Sequence, residues 1–114
     1  LHLQIFHLYI LMTEQKFIKL IDKIFSRTEN TLLTKRAEYA HKEDVFKSFK
    51  NGTGFSLHTE PEQVAWSYLA KHLESIQSII KKLPNERPSQ ELIDEKFGDA
   101  INYLIIIEGL LKEK

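Results

Sequence analysis

The chain has 114 residues, enough for one domain with one core. Hydrophobic residues make up 42% and charged residues 28%, a soluble globular profile, and the 16 basic residues balance the 16 acidic ones. That zero net charge argues against a general nucleic-acid or membrane-surface binder, and the lack of cysteine excludes disulfides, zinc-thiolate sites and thiol nucleophiles.

Residues 1–11, LHLQIFHLYIL, are apolar and precede the only methionine, Met12. A bilayer span needs roughly 20 apolar residues, and a signal peptide needs a basic n-region and a small-residue cleavage site. The run has neither. Residues 1–11 are read as an upstream extension and 12–114 as a single all-α domain. The alternative for 1–11 is a short helix that caps the core or a partner.

Thr13 is an N-cap candidate, with Glu14 in the first turn. Phe17, Leu20, Ile21, Ile24, Phe25 and Leu32 then recur at helical spacing, predicting a long amphipathic helix kinked near Asn30–Thr31. Glu43 to Lys50 predicts a short helix with Val45, Phe46 and Phe49 inward, broken by Asn51-Gly52 and Gly54. Thr59-Glu60-Pro61-Glu62 is a helix start that runs to about Leu83. Its apolar face is Ala65, Leu69, His72, Leu73, Ile76 and Ile80. His72 on that face is read as a core histidine donating to a carbonyl. After the linker PNERP, Ser89 caps a last helix that continues to the chain end. The expected architecture is all-α: an antiparallel bundle of three long helices plus one short helix.

The last helix carries the main functional signal. From Ile101 to Ile107 it is apolar nearly all round, which predicts burial on more than one side. Yet Glu95, Asp99 and Asn102 form one polar stripe on it at spacings of four and three. Buried polar groups need partners or a ligand. Clustered carboxylates (Asp94, Glu95, Asp99) favour a hard divalent cation, above all Mg²⁺. A solvated face with Lys96 as counter-ion is the structural alternative. On the preceding helix, Lys71 could neutralise phosphate charge and Glu74 could ligate a metal. Their alternative is an intrahelical pair worth a few tenths of a kcal/mol. Glu38-Tyr39-Ala40 closes the first helix, and a tyrosine there could stack on a base. No Ser-His-Asp order, HExxH or EF-hand pattern is present.

The order Glu38-Tyr39-Ala40, Asp44, Phe46-x-x-Phe49, Lys71-His72-x-x-Ser75-Ile76, then Glu95-Lys96-x-Gly98-Asp99-Ala100-x-Asn102-Tyr103-Leu104 resembles a group of small phage-encoded proteins. These are akin to the MazG-like all-α nucleotide pyrophosphohydrolases and to the phage nucleotide modification associated domains. The resemblance runs from about Met12 to the end and is most specific in the last helix. It implies an oligomeric helical bundle with an acid-lined site. In active members, Mg²⁺ held by carboxylates of two helices binds a nucleoside triphosphate, and water attacks the α-phosphate to release pyrophosphate. By the resemblance, Asp99 matches the helix-borne aspartate, and Asn102-Tyr103 match the Asn-Tyr of the phage group. Glu95 matches loosely, standing four residues before Asp99 where the family places its glutamate three before.

The resemblance thus implies Glu74, Glu95 and Asp99 as catalytic residues, and the same three with Glu38 as Mg²⁺ ligands. Lys71, Asn102 and Tyr39 would contact the nucleotide. Active members carry Glu-x-x-Glu on the preceding helix. Here that helix has Lys71 and a single acid, Glu74, so Glu38 or Asp44 must supply the other carboxylate, or the chain binds nucleotide without hydrolysis. The implied partners are a nucleotide and further copies of the chain, with no membrane. The implied location is the cytoplasm, the host's if phage-encoded. The alternative is a non-enzymatic helical oligomerisation protein, with Ile101–Leu111 as its seam.

Overall fold

In the computed structural model, residues 11–39 and 44–113 are described, without the side chains of residues 35–39. The apolar run before Leu11 lies outside these residues. The first helix, α1 (Glu14–Tyr39), starts as its sequence dictates. The Thr13 hydroxyl accepts from the Lys16 amide at 3.2 Å and the Thr13 carbonyl accepts from Phe17 at 2.9 Å, satisfying amides that a helix start leaves orphaned. It is a single element through Asn30–Thr31.

The short helix α2 spans Lys47–Ser56, later and longer than its predicted counterpart. Asn51, Gly52 and Gly54 lie inside it. A glycine costs a helix only about 1 kcal/mol, which packing can override. At Gly52 the missing side chain has a use, because a Cβ there would stand 3.1 Å from Val64 Cγ1. The left-handed residue that ends α2 is Leu57, at φ 62°.

α3 (Pro61–Lys81) begins with proline at its first position. Its cap is Glu60, whose amide donates to Gln63 Oε1 at 3.2 Å in a capping box. α4 (Gln90–Glu113) is capped by Ser89, whose hydroxyl accepts from the Leu92 amide at 3.1 Å. All four elements are helices, and the described residues contain no strand.

α3 and α4 form the main packing unit. They are antiparallel, since His72 faces Asp99 and Tyr68 faces Tyr103. Continued at that register, buried Pro61 stands opposite Leu110. The core is Val64, Ala65, Leu69 and Ile79 of α3 with Ala100 and Leu110 of α4. Leu73 and Ile80, expected inside, are exposed, while Val64 and Ile79 are buried. α4 does not bury all sides either, for Leu104, Ile105 and Leu111 are exposed.

The three long helices do not close into a bundle. Among the described residues, α1 packs on α4 and makes no helix contact with α3. Its crossing point is polar. Arg27 reaches Asp94 at 3.4 Å and lies over Gly98, and Thr28 is the one buried side chain described on α1. Leu20, Ile21, Ile24 and Leu32 are half-buried, whereas Phe17, Ile18, Phe25 and Leu33 are exposed. The radius of gyration is 17.9 Å, against about 13 Å for a closed domain near this size.

α2 is held to α3 by packing and to the far end of α4 by charge. Lys50 Nζ lies 2.8 Å from Asp44 Oδ2 and 2.9 Å from Glu113 Oε1. Asp44 Oδ1 also accepts from the Phe46 amide at 3.0 Å. The Lys50 hydrogen bond, then the Phe46 amide, holds the Asp44 carboxyl below its ordinary value. Asp44, then Glu113, raises the Lys50 ammonium. The depressed Asp44 contributes stability above the ordinary aspartate value that is lost as pH falls through its lowered value. The raised Lys50 contributes below the ordinary lysine value and loses that contribution as pH rises through its raised value. Lys50→Met is therefore expected to lower the urea midpoint at pH 7 and to leave it level with wild type near pH 2. An equal loss at both pH values would assign the effect to the lysine stem rather than to its charge.

Candidate functional site

A cavity of about 580 Å³ opens between all four helices, within the size range of small-molecule sites. α4 supplies its floor. Asp99, Asn102, Tyr103 and Ile106 line it because spacings of three and four put them on one helical face. Val64 and Tyr68, one turn apart, come from α3. Phe46 and Phe49 form the α2 wall, and Thr31 and Leu32 the α1 edge.

The aromatic side chains form a cluster. Tyr103 lies nearly parallel to Tyr68 (centroids 5.7 Å apart, 18°) and to His72 (5.4 Å, 22°). Phe49 meets both tyrosines edge-on, at 6.3 and 6.4 Å. Burial, then the negative charge of Asp99, then Tyr68, raises the Tyr103 phenol, so it remains a protonated donor at neutral pH.

Two acceptors on this face of α4 have no hydrogen bond among the described residues. Asn102 Oδ1 is buried. Asp99, one turn before it, is 35% exposed and lies 3.7 Å from His72 Nδ1, beyond hydrogen-bond length. His72 thus faces a carboxylate instead of the expected carbonyl. An unpaired buried acceptor such as Asn102 Oδ1 costs about 1–3 kcal/mol, while the partly exposed Asp99 carboxylate is open to donors from a ligand.

The sequence-predicted site residues divide. Asp99 and Asn102 come together in the cavity. Glu95 shares their stripe but does not line the cavity. Its side chain is 62% exposed and lies 3.7 Å from Lys96. Lys71 and Glu74 are exposed on α3, away from the lining. Asp44, the alternative carboxylate, is committed to Lys50 and the Phe46 amide. Glu38 and Tyr39 end α1, and their side chains lie outside the described residues.

Mg²⁺ demands near-octahedral oxygen ligation, usually from more than one carboxylate or from substrate phosphates. Among the described residues, no group of three or more His, Asp or Glu side chains could hold a metal, and Asp99 is the one carboxylate lining the cavity. The described donor set therefore does not fit a protein-held Mg²⁺ site. No lysine or arginine is among the described lining residues either. Sequence reasoning missed the wall made by Tyr68, Phe49 and Phe46. The available signal was the Tyr68–His72 pair at helical spacing, matched by Tyr103.

No family model, curated protein or solved structure matches this chain. Among the described residues, no helix is long and apolar enough to cross a membrane.

Proposed function

We propose that this protein binds a nucleotide or nucleoside in the four-helix cavity, as a MazG-like relative that has kept binding without hydrolysis. The observation that carries the reading is the Asp99 carboxylate beside the Tyr68–Tyr103 pair in one cavity. Planar rings with donor edges match aromatic faces and orphan acceptors. The carboxylate supply supports binding over hydrolysis, because Glu74 and Glu95 are exposed and outside the cavity. The test is thermal denaturation with nucleosides and nucleotides, alongside pyrophosphate release from dNTPs with Mg²⁺. A bound ligand at a hundred times its Kd raises stability by about 2.7 kcal/mol. The expected result is such a shift, lost in Asp99→Asn, with no pyrophosphate released. No shift with any ligand overturns the binding reading. Pyrophosphate release that Asp99→Asn abolishes restores the hydrolase.

A second reading, a homo-oligomer, is favoured by α1. Phe25 is 67% exposed, and Phe17, Ile18 and Leu33 are at least half exposed on a helix that, among the described helices, packs on α4 alone. Apolar patches of this kind mark association surfaces. Sedimentation is expected to show an oligomer, and Phe25→Glu to return it to monomer with the helix content unchanged. A wild-type monomer at micromolar concentration would dismiss this reading.

A further inference from the structure

We propose that the cavity selects a guanine-type base, one that presents two adjacent N–H donors to the Asp99 carboxylate. The inference deepens the nucleotide-binding reading and rests on it.

Asp99 is the carboxylate that the described lining offers, three residues before Asn102 on the same face of α4. An ionised carboxylate is an acceptor only, with two oxygens that can take a bidentate donor pair. The ligand edge must therefore be rich in donors. Guanine offers N1–H and the 2-amino group side by side, a pair that matches one carboxylate and forms charge-assisted bonds. Adenine and cytosine place one amino donor beside a ring nitrogen acceptor, which would face the carboxylate lone pairs. Uracil and thymine have one N–H flanked by two carbonyls, again acceptor against acceptor. The Tyr68–Tyr103 pair and Phe49 supply faces and edges for any base, so stacking does not discriminate and the donor pattern does.

The lining also says which part of a nucleotide is read. Its described residues include no lysine or arginine, so no described basic side chain there meets a phosphate. Recognition falls on the base, and any phosphate stays at the solvent edge, where a charge contributes about fivefold at most.

Calorimetric titration of the full chain with guanosine, GMP, inosine, adenosine and uridine tests this. Guanosine is expected to bind about ten- to a hundredfold tighter than adenosine or uridine, the range for hydrogen bonds to a charged group. Inosine, which lacks the 2-amino group, falls between them. GMP is expected within about fivefold of guanosine. Asp99→Asn preserves shape and places an amide donor at the site, so it is expected to erase the preference over adenosine while circular dichroism stays unchanged. Adenosine or uridine binding as tightly as guanosine overturns the guanine assignment and leaves the nucleotide-binding reading standing. GMP far tighter than guanosine overturns the base-reading assignment in the same way. Binding by none of the five overturns both. If Asp99→Asn fails to fold, the wild-type ligand series still decides.

Discussion

Leu110→Ala is expected to lower the free energy of unfolding by about 2–5 kcal/mol, and Leu69→Ala by a similar amount. These are the largest side chains with under 2% exposure, Leu69 at 1% and Leu110 at 0%. Each removal costs the transfer energy of the lost carbons plus the energy of the hole left behind. The effect is large because the core is thin. Besides these two leucines, the buried apolar side chains described are Pro61, Val64, Ile79 and two alanines. A domain of this size is stable by only about 5–15 kcal/mol, so one such hole removes a large share. Leu111 provides the control. It is adjacent to Leu110 but 62% exposed, and Leu111→Ala is expected to cost less than about 0.5 kcal/mol in the separated chain. Urea denaturation of the three variants measures this. Equal losses at Leu110 and Leu111 would contradict the α3–α4 register, which sets Leu110 opposite Pro61.

The parts of the fold legible in the sequence are those decided locally. Thr13, Pro61 and Ser89 mark their helix starts because capping depends on a few neighbouring atoms. α2 was harder. Gly52 and Gly54 look like breakers when only local propensity counts, yet at Gly52 the absent side chain lets Val64 of α3 come close. That gain is a tertiary contact and leaves no local mark. The same division runs through the site. Asp99 and Asn102 were legible because polar residues on so apolar a helix need a destination. Glu95 has the right spacing, but spacing fixes the face of a helix and not how far along it a cavity extends. Tyr68, Phe49 and Phe46 reach the site through the α3–α4 register and the fold-back of α2, both long-range. Aromatic residues at helical spacing read equally well as ordinary core. The half-exposed face of α1 shows the limit in the other direction. Its periodicity correctly marks an apolar stripe, but periodicity does not say which surface covers it, and α4 covers only part.

Gly109→Ala tests the cavity wall most directly, since two effects of opposite sign compete there. Replacing a mid-helix glycine by alanine stabilises an exposed helix by about 1 kcal/mol. At Gly109, however, the added Cβ would stand 2.6 Å from Phe46 Cζ and 3.3 Å from Cε2, closer than packed carbons approach. Phe46 lies at the start of α2, where its amide is tied to Asp44 and where Lys50 binds that helix to Glu113. To make room the ring must turn about its side-chain torsions and leave its packed position over Gly109. Overpacking of this kind costs about 1–3 kcal/mol, so the net effect is expected to be destabilising by up to about 2 kcal/mol. In a Phe46→Ala background the obstacle is gone, and Gly109→Ala is expected to stabilise by about 1 kcal/mol instead. The reversal of sign is the readout of a double-mutant cycle, and zero coupling would mean that Phe46 does not rest on Gly109. Ligand affinity is expected to fall with Gly109→Ala and not to recover in the double variant. Either change removes the Phe46 wall that closes the cavity over Asp99 and Asn102, one by displacing the ring and the other by deleting it.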